Sequence, residues 1–329
     1  SVPLGLFLLS SNNPSSWTIL GVGTYWGYLY LLSQETHRSR SLLLWLGSLL
    51  AALLALSSRV DGSVYIILAT CASLLSAAPS LRALAGVCKR ASILSLIIPV
   101  TALAVYSFVN LGQGVTIAQA GLVHGTTVTR TVDQLIFYNL IYLPSLWSGA
   151  LGGWGLGWLD TAISPTVPLV VFSVAFCLIV AGLQGASKGR LLAFWVIVLA
   201  LTLIPMYVLT RAGHLVGETV QPRYILPLLY PAMGLALVRE RGSSRYSFSA
   251  KTISVLMVLL SLAHAIALHQ NIRRYVTGTE VIDIDLDNGM EWWWPWQGTP
   301  TPLSVWIAGS LAYAIMALLL ARSTSARRA

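Results

Sequence analysis

Apolar runs of similar length succeed one another along the chain, parted by short polar segments whose charge alternates from one to the next. A helix that crosses a hydrocarbon core needs about 20 apolar residues. Runs of that kind lie at residues 17–33, 42–58, 63–79, 92–110, 167–186, 191–211, 224–238, 252–269 and 303–321, the seventh of them short. They predict an all-α polytopic transmembrane helix bundle of about nine spans. Residues 1–10, SVPLGLFLLS, are apolar but too few to span, and the SNNPSS that follows is a turn signal. This stretch reads as the outer end of a partial N-terminal helix whose beginning precedes Ser1.

Charge gives that bundle an orientation. Loops at 34–41, 80–91, 187–190, 239–251 and 322–328 carry fourteen basic residues against Glu35 and Glu240, a net +12, while the remaining loops sum to −3. By the positive-inside rule the basic side is cytoplasmic. The C-terminus is then cytoplasmic, and Arg59, Arg130, Arg211 and Arg223 lie outside with nine acids. The overall +9 therefore sets topology and touches anionic headgroups of the lipid bilayer, and no nucleic-acid partner is expected. With 56% hydrophobic residues, 9% charged and a mean hydropathy of +0.75, the chain is no soluble domain. Arginine outnumbers lysine 17 to 3, a codon signature of a GC-rich bacterial genome, so the expected location is the bacterial plasma membrane. Cys71 and Cys177 fall inside apolar runs and Cys88 in a basic loop, an arrangement unsuited to disulfides. All three read as small buried hydrophobes.

Within this single transmembrane domain, residues 1–329, two longer extracytoplasmic loops break the rhythm, at 111–166 and 270–302. In the first, residues 132–143 predict an interfacial helix with Phe137, Tyr138 and Tyr142 at headgroup level. Gly149, Gly152, Gly153, Gly155 and Gly157 then interleave with Trp147, Trp154 and Trp158. Backbone of that kind at membrane depth is tolerated only where it packs on protein or lines a cavity. The second loop carries VIDIDLDNGMEWWWPWQGTPTP. Its alternation over 281–287 predicts a short strand with Asp283, Asp285 and Asp287 on one solvated face. The glycine and terminal glutamate of a calcium loop are missing, so no metal site is expected there. The tryptophans at 292–296 fit an aromatic belt or a stacking platform for sugars, and so close a cluster favours a partly buried loop packed on the bundle.

Two places carry candidate chemistry. Asp160 follows the Gly/Trp stretch and precedes Pro165 at the mouth of a span, a position for a general base, a sugar-hydroxyl ligand or a helix cap. The segment RAGHLVGETVQPRY gathers Arg211, His214, Glu218, Gln221, Arg223 and Tyr224 between two spans. Where a helix enters the membrane, the planar fork of Arg223 and the helix dipole together suit a lipid phosphate. The competing reading makes Arg223 an interfacial anchor paired with Glu218. His214, as a lone loop histidine, is weak as a catalytic signal. There is no P-loop, GxSxG, HExxH or CxxC motif, and nothing calls for a metal or other cofactor.

The pieces NPSSWTILGVGTYWGYL, LWSGALGGWGLGWLDTAISP, QPRYILPLLYP, RRYVTG and WWWPW, in that order, resemble the bacterial membrane proteins of the domain of unknown function 2142 family. That family in turn looks like a relative of the C-type glycosyltransferases, which use polyprenyl-phosphate sugars on the outer face. The resemblance draws attention to Asn13 and Pro14, to Trp158, Leu159 and Asp160, and to Arg223 and Tyr224. Where the family pattern tends to read Gly-Arg-Tyr, Pro222 stands before Arg223 and changes the angle at which the helix enters. It also implies that the main catalytic base belongs to a first external loop preceding Ser1, leaving Asp160 as the best candidate within the chain.

What the resemblance implies is transfer of a sugar from a polyprenyl-phosphate donor to an envelope glycan or lipid acceptor. Arg223 would hold the phosphate, with Tyr224, Arg211 and His214 around it, while Asp160 would contact the acceptor or sugar and Trp158 would stack on it. Two other readings stay open: a transporter or flippase of an envelope precursor, and a non-catalytic membrane partner of an envelope-assembly complex. Spans nearly free of charge, with polar groups at the outer surface, favour surface chemistry over passage.

Overall fold

The computed structural model of the chain describes residues 3–78, 80–110, 130–156, 161–238, 248–293 and 298–326. These hold α1 (Pro3–Ser10), α2 (Pro14–Gln34), α3 (Arg38–Ser58), α4 (Asp61–Ala77), α5 (Leu81–Cys88), α6 (Ala91–Asn110) and α7 (Val132–Ser148). A π-helical turn (Gly149–Gly153) follows, then α8 (Thr166–Leu183), α9 (Lys188–Ala212), a 3-10 turn (Pro222–Tyr224), α10 (Leu226–Leu237), α11 (Ala250–Val276) and α12 (Pro302–Ala326). Every apolar run of the sequence forms a helix.

Among the described residues seven helices are long and apolar enough to cross a membrane, against the nine runs. The difference lies in named elements. α4, with 17 residues, and α10, with 12, are shorter. α2 is rich in Ser, Gly and aromatic residues and buries Val22, Tyr25, Trp26 and Leu29 among its neighbours, so it need not match lipid on every face. In the other direction, residues Val132–Gly153 qualify by length and composition, where the sequence suggested only a short interfacial helix inside an external loop.

The chain divides into two compact units: residues 8–147 with 178–245, and residues 1–7 with 148–177 and 246–329. In the first, α2 is central. Lipid tails are as apolar as leucine, so helices in a bilayer associate through close packing of small residues and buried polar contacts. α2 meets α3 through Gly21, where an added Cβ would stand 2.7 Å from the Ala51 carbonyl oxygen and 2.8 Å from the Ala55 Cβ. It meets α4 through Tyr25 Oη and Thr70 Oγ1 at 2.8 Å, and through the Ser73 hydroxyl, which donates to the Trp26 carbonyl at 3.0 Å. Opposite α10, Gly234 leaves room for the Trp26 ring. Lipid-facing leucines such as Leu43 and Leu50 stay about two-thirds or more exposed, at 70% and 67%.

The two ends of this unit differ in chemistry. At one end Arg90 donates to the Ser33 carbonyl at the close of α2. There too Arg190, buried, donates to the carbonyls of Gly182 and Val238, which end α8 and α10. A guanidinium among orphan C-terminal carbonyls is favoured by their partial negative charge. The opposite end gathers the start of α2, the α3–α4 junction, the end of α9 and the 3-10 turn before α10.

In the second unit α11 packs on α12, with the Trp306 indole donating to the Ala265 carbonyl at 2.8 Å and His264 stacked on Tyr313 at 4.2 Å. Val167 and Val171 of α8 pack with Ala263 and Ala267 of α11. The predicted strand at 281–287 is a chain of turns instead: Asp283 Oδ1 accepts from the Asp285 N–H, and Asp285 Oδ1 from the Asp287 N–H, each at 3.0 Å. Short carboxylates that bond the backbone two residues on compete with a strand ladder, and here they win. Among the described residues β-structure is limited to one isolated bridge, Leu156 to Thr161. Cys71 and Cys177 are exposed on outward helix faces, not buried as their apolar context suggested, because a lipid-facing position accepts a small apolar side chain equally well.

Candidate functional site

The segment between α9 and α10 carries a dense set of polar contacts in the first unit. α9 ends at Gly213, whose φ of 72° closes the helix in the left-handed conformation that glycine tolerates best. His214 follows, buried, with its N–H on the Leu209 carbonyl at 2.9 Å. Its Nδ1 lies 3.4 Å from Glu218 Oε2, while Nε2 is buried with no hydrogen-bond partner among the described residues. Glu218 in turn takes a two-pronged bond from Arg130, Nη1 to Oε2 at 2.8 Å and Nη2 to Oε1 at 2.7 Å. The Arg130 hydrogen bonds, joined by the Leu215 N–H and His214, pull the Glu218 carboxyl from 4.5 down to about 2 against the opposing effect of burial.

Asn139 of α7 completes this cluster. Its Nδ2 donates to the His214 carbonyl at 3.0 Å and its Oδ1 accepts from the Val216 N–H at 2.7 Å. Asn139 thereby latches α7 to the segment, and Leu135, Asn139, Leu143 and Leu146 are the buried face of that helix, Phe137, Leu140 and Ile141 its exposed one.

A second cluster lies at the other end of the same segment. Arg223, buried in the 3-10 turn, has its Cζ 5.4 Å from the centroid of the Tyr224 ring, and Arg59, from the α3–α4 junction, lies 4.5 Å from that ring. Arg59 is braced by Asp61, Nε to Oδ1 and Nη2 to Oδ2 both at 2.8 Å, and reaches Ser15 Oγ at 3.4 Å. Although burial works against its charge, the Asp61 contacts outweigh it and the guanidinium is held above its ordinary value. The Tyr65 hydroxyl donates to the Tyr224 carbonyl at 2.6 Å and fixes the backbone at the mouth of α10. The start of α2 is set by Asn13, whose Oδ1 caps the Ser15 N–H at 2.9 Å and so carries Ser15 toward Arg59.

Of the residues singled out in the sequence, Arg223, Tyr224 and His214 belong to these clusters, whereas Arg211 is exposed on the last turn of α9. Glu218 is paired with Arg130 and His214. Trp158 and Asp160 lie outside the described residues, as do Leu159 and residues 294–296 of the tryptophan block. Sequence reading missed Arg59, Asp61, Tyr65, Arg130 and Asn139. The signal available was an Arg-Val-Asp step at a helix junction and an asparagine at the centre of the apolar face of α7. Among the described residues, no three His, Cys, Asp or Glu side chains come together as metal ligands.

Several long apolar helices around a polar cluster at one end define the class: a multi-pass membrane protein. Residues 1–232 match the family described as "Predicted membrane protein (DUF2142)", and the chain belongs to that family. Neither curated proteins nor solved structures give a match.

Proposed function

We propose that this chain handles a polyprenyl-phosphate-linked sugar on the outer face of the bacterial plasma membrane and takes part in transferring that sugar to an envelope glycan or lipid, in the manner of a C-type glycosyltransferase. The observation that carries the reading is the pair of guanidinium groups, Arg59 and Arg223, set against the one ring of Tyr224 where α10 begins. Asp61 pairs with Arg59 and holds its guanidinium in place beside that ring. When an acceptor hydroxyl attacks the anomeric carbon, the bond between that carbon and the phosphate oxygen breaks, and the phosphodiester, with one negative charge, leaves as a monoester of about −1.5 to −2. A fixed, partly desolvated cation acts most strongly where charge is growing. The hydroxyl proton passes to a carboxylate base. The buried Nε2 of His214 and Oε1 of Gln221, both without hydrogen-bond partners among the described residues, add polar groups that a sugar hydroxyl would satisfy.

The test is sugar transfer from a polyprenyl-phosphate donor in proteoliposomes, with Arg223→Ala and Arg223→Lys at matched abundance. Both variants are expected to lose about 10²-fold or more, since lysine keeps the charge but not the fork. Full activity of Arg223→Ala removes the phosphate role. Movement of the donor lipid across the bilayer without transfer assigns the chain to the flippase reading instead.

A further inference from the structure

A separate cavity of about 570 Å³ opens in the second unit at the end of α11, lined by Arg274, Tyr275, Thr279, Glu280, Glu291 and Trp292 among others. Its construction is local. The Val276 carbonyl accepts from both the Glu291 N–H at 2.8 Å and the Trp292 N–H at 3.1 Å, which clamps the later loop to the helix end. Beneath that clamp, Ile272, Val276 and Leu286 form a buried apolar floor against which Trp293 packs. Gly278, at φ 80°, turns the chain, and an added Cβ there would stand 2.1 Å from Glu280 Oε1. The Glu280 carboxylate thus lies over the bare glycine while remaining exposed at the rim of the cavity.

The lining selects a ligand class. Its volume falls within the span of about 300–1,000 Å³ typical of small-molecule sites, but the walls are chiefly polar, which disfavours an acyl chain. Two carboxylates against one guanidinium disfavour a phosphate. Tyr275 and Trp292 are each about half exposed, at 47% and 49%, and offer flat apolar faces beside hydrogen-bonding groups. A ligand with hydroxyls around its rim and C–H groups on its face meets both demands. We propose that this cavity binds a neutral carbohydrate, with Trp292 as the stacking surface and Glu280 and Glu291 as acceptors for its hydroxyls. The inference rests on the second unit alone and does not depend on the transfer reaction above.

Saturation-transfer NMR on the full chain in lipid nanodiscs tests it, with maltotetraose and chitotetraose as neutral probes and a heparin tetrasaccharide as the anionic one. Saturation of the ring protons of a neutral probe is expected. Trp292→Ala should weaken that binding by on the order of ten-fold or more, the size seen when an aromatic anchor is truncated. Trp292→Phe should retain most of the affinity, and Trp195→Ala, which removes an exposed indole of α9, should leave it unchanged. No saturation of either neutral probe, a preference for the heparin fragment, or unaltered binding by Trp292→Ala would each overturn the proposal. Loss of transfer in Arg223→Ala with sugar binding intact separates this site from the phosphate cluster.

Discussion

Asn139 donates from its side-chain amide to the carbonyl of His214 across 3.0 Å, joining the middle of α7 to a residue 75 positions later. The same amide accepts from the Val216 N–H, so one asparagine satisfies the backbone much as a neighbouring strand would. It lies fully buried, where a polar group must be paired to be tolerated. The residue that looks least at home in an apolar helix is the one that holds the site segment in place.

Replacing Asn139 by leucine keeps the size and removes both bonds, leaving the His214 carbonyl and the Val216 N–H without this partner. Each orphaned buried group costs about 1–3 kcal/mol. Hydrogen exchange over 213–218 should accelerate in Asn139→Leu while that of α2 and α4 is unchanged, and an unaltered exchange pattern would mean the segment is held by other contacts.

Glu218 makes the same segment sensitive to acid. Its folded value of about 2 lies below its ordinary 4.5, so the carboxylate contributes stability that is complete above pH 4.5 and is lost as pH falls toward 2. Wild type and Glu218→Gln should therefore differ by a constant amount in thermal stability from neutral pH down to 4.5, and converge below it. Arg130→Ala should remove most of the difference, because Arg130 supplies the largest part of the depression.

How much of this was legible beforehand follows from the physics of each feature. The helices were readable because a bilayer demands unbroken apolar runs, and the basic loops because few positions in such a chain carry charge. Arg223, Tyr224 and His214 stood out as polar residues crowded into a short segment. Asn139 and Arg59 did not, since their meaning lies in contacts 75 and 165 residues away with His214 and Tyr224. The strand expected at 281–287 failed for a local reason: alternation describes side-chain pattern but not whether an aspartate will bond its own backbone.

Packing between α2 and α3 gives a cleaner test of what holds the bundle. At Gly21 an added Cβ meets the backbone of Ala51 and Ala55 at 2.7 Å, whereas at Gly27 it meets nothing within 4 Å. Gly21→Ala should lower thermal stability, since overpacking typically costs about 1–3 kcal/mol. Gly27→Ala, also in α2, should be neutral or stabilising by up to about 1 kcal/mol from helix propensity. Equal effects in the two would show that α2 and α3 separate readily.

The course of α7 leads to the last prediction. Arg130 meets Glu218 and Gly213 beyond the end of α9, while the Trp147 indole donates to the Leu201 carbonyl at 3.3 Å, midway along α9. α7 therefore enters from the end that holds the candidate site and reaches about half the depth of the bundle. α6 starts at the opposite, basic end, next to Arg90, and α8 finishes there, with Gly182 on Arg190. By the charge pattern of the sequence residues 111–166 form one extracytoplasmic loop, so α7 is expected to leave on the side from which it enters. Gly149, Ala150 and Gly152 of the π-helical turn that follows α7 are buried, as irregular backbone in a membrane must be. In a background without native cysteines, Ala162→Cys and Thr219→Cys should react with an impermeant maleimide from one side of the membrane and Ala85→Cys from the other, the first pair outside by the positive-inside rule. Labelling of Ala162→Cys together with Ala85→Cys would make α7 a full crossing.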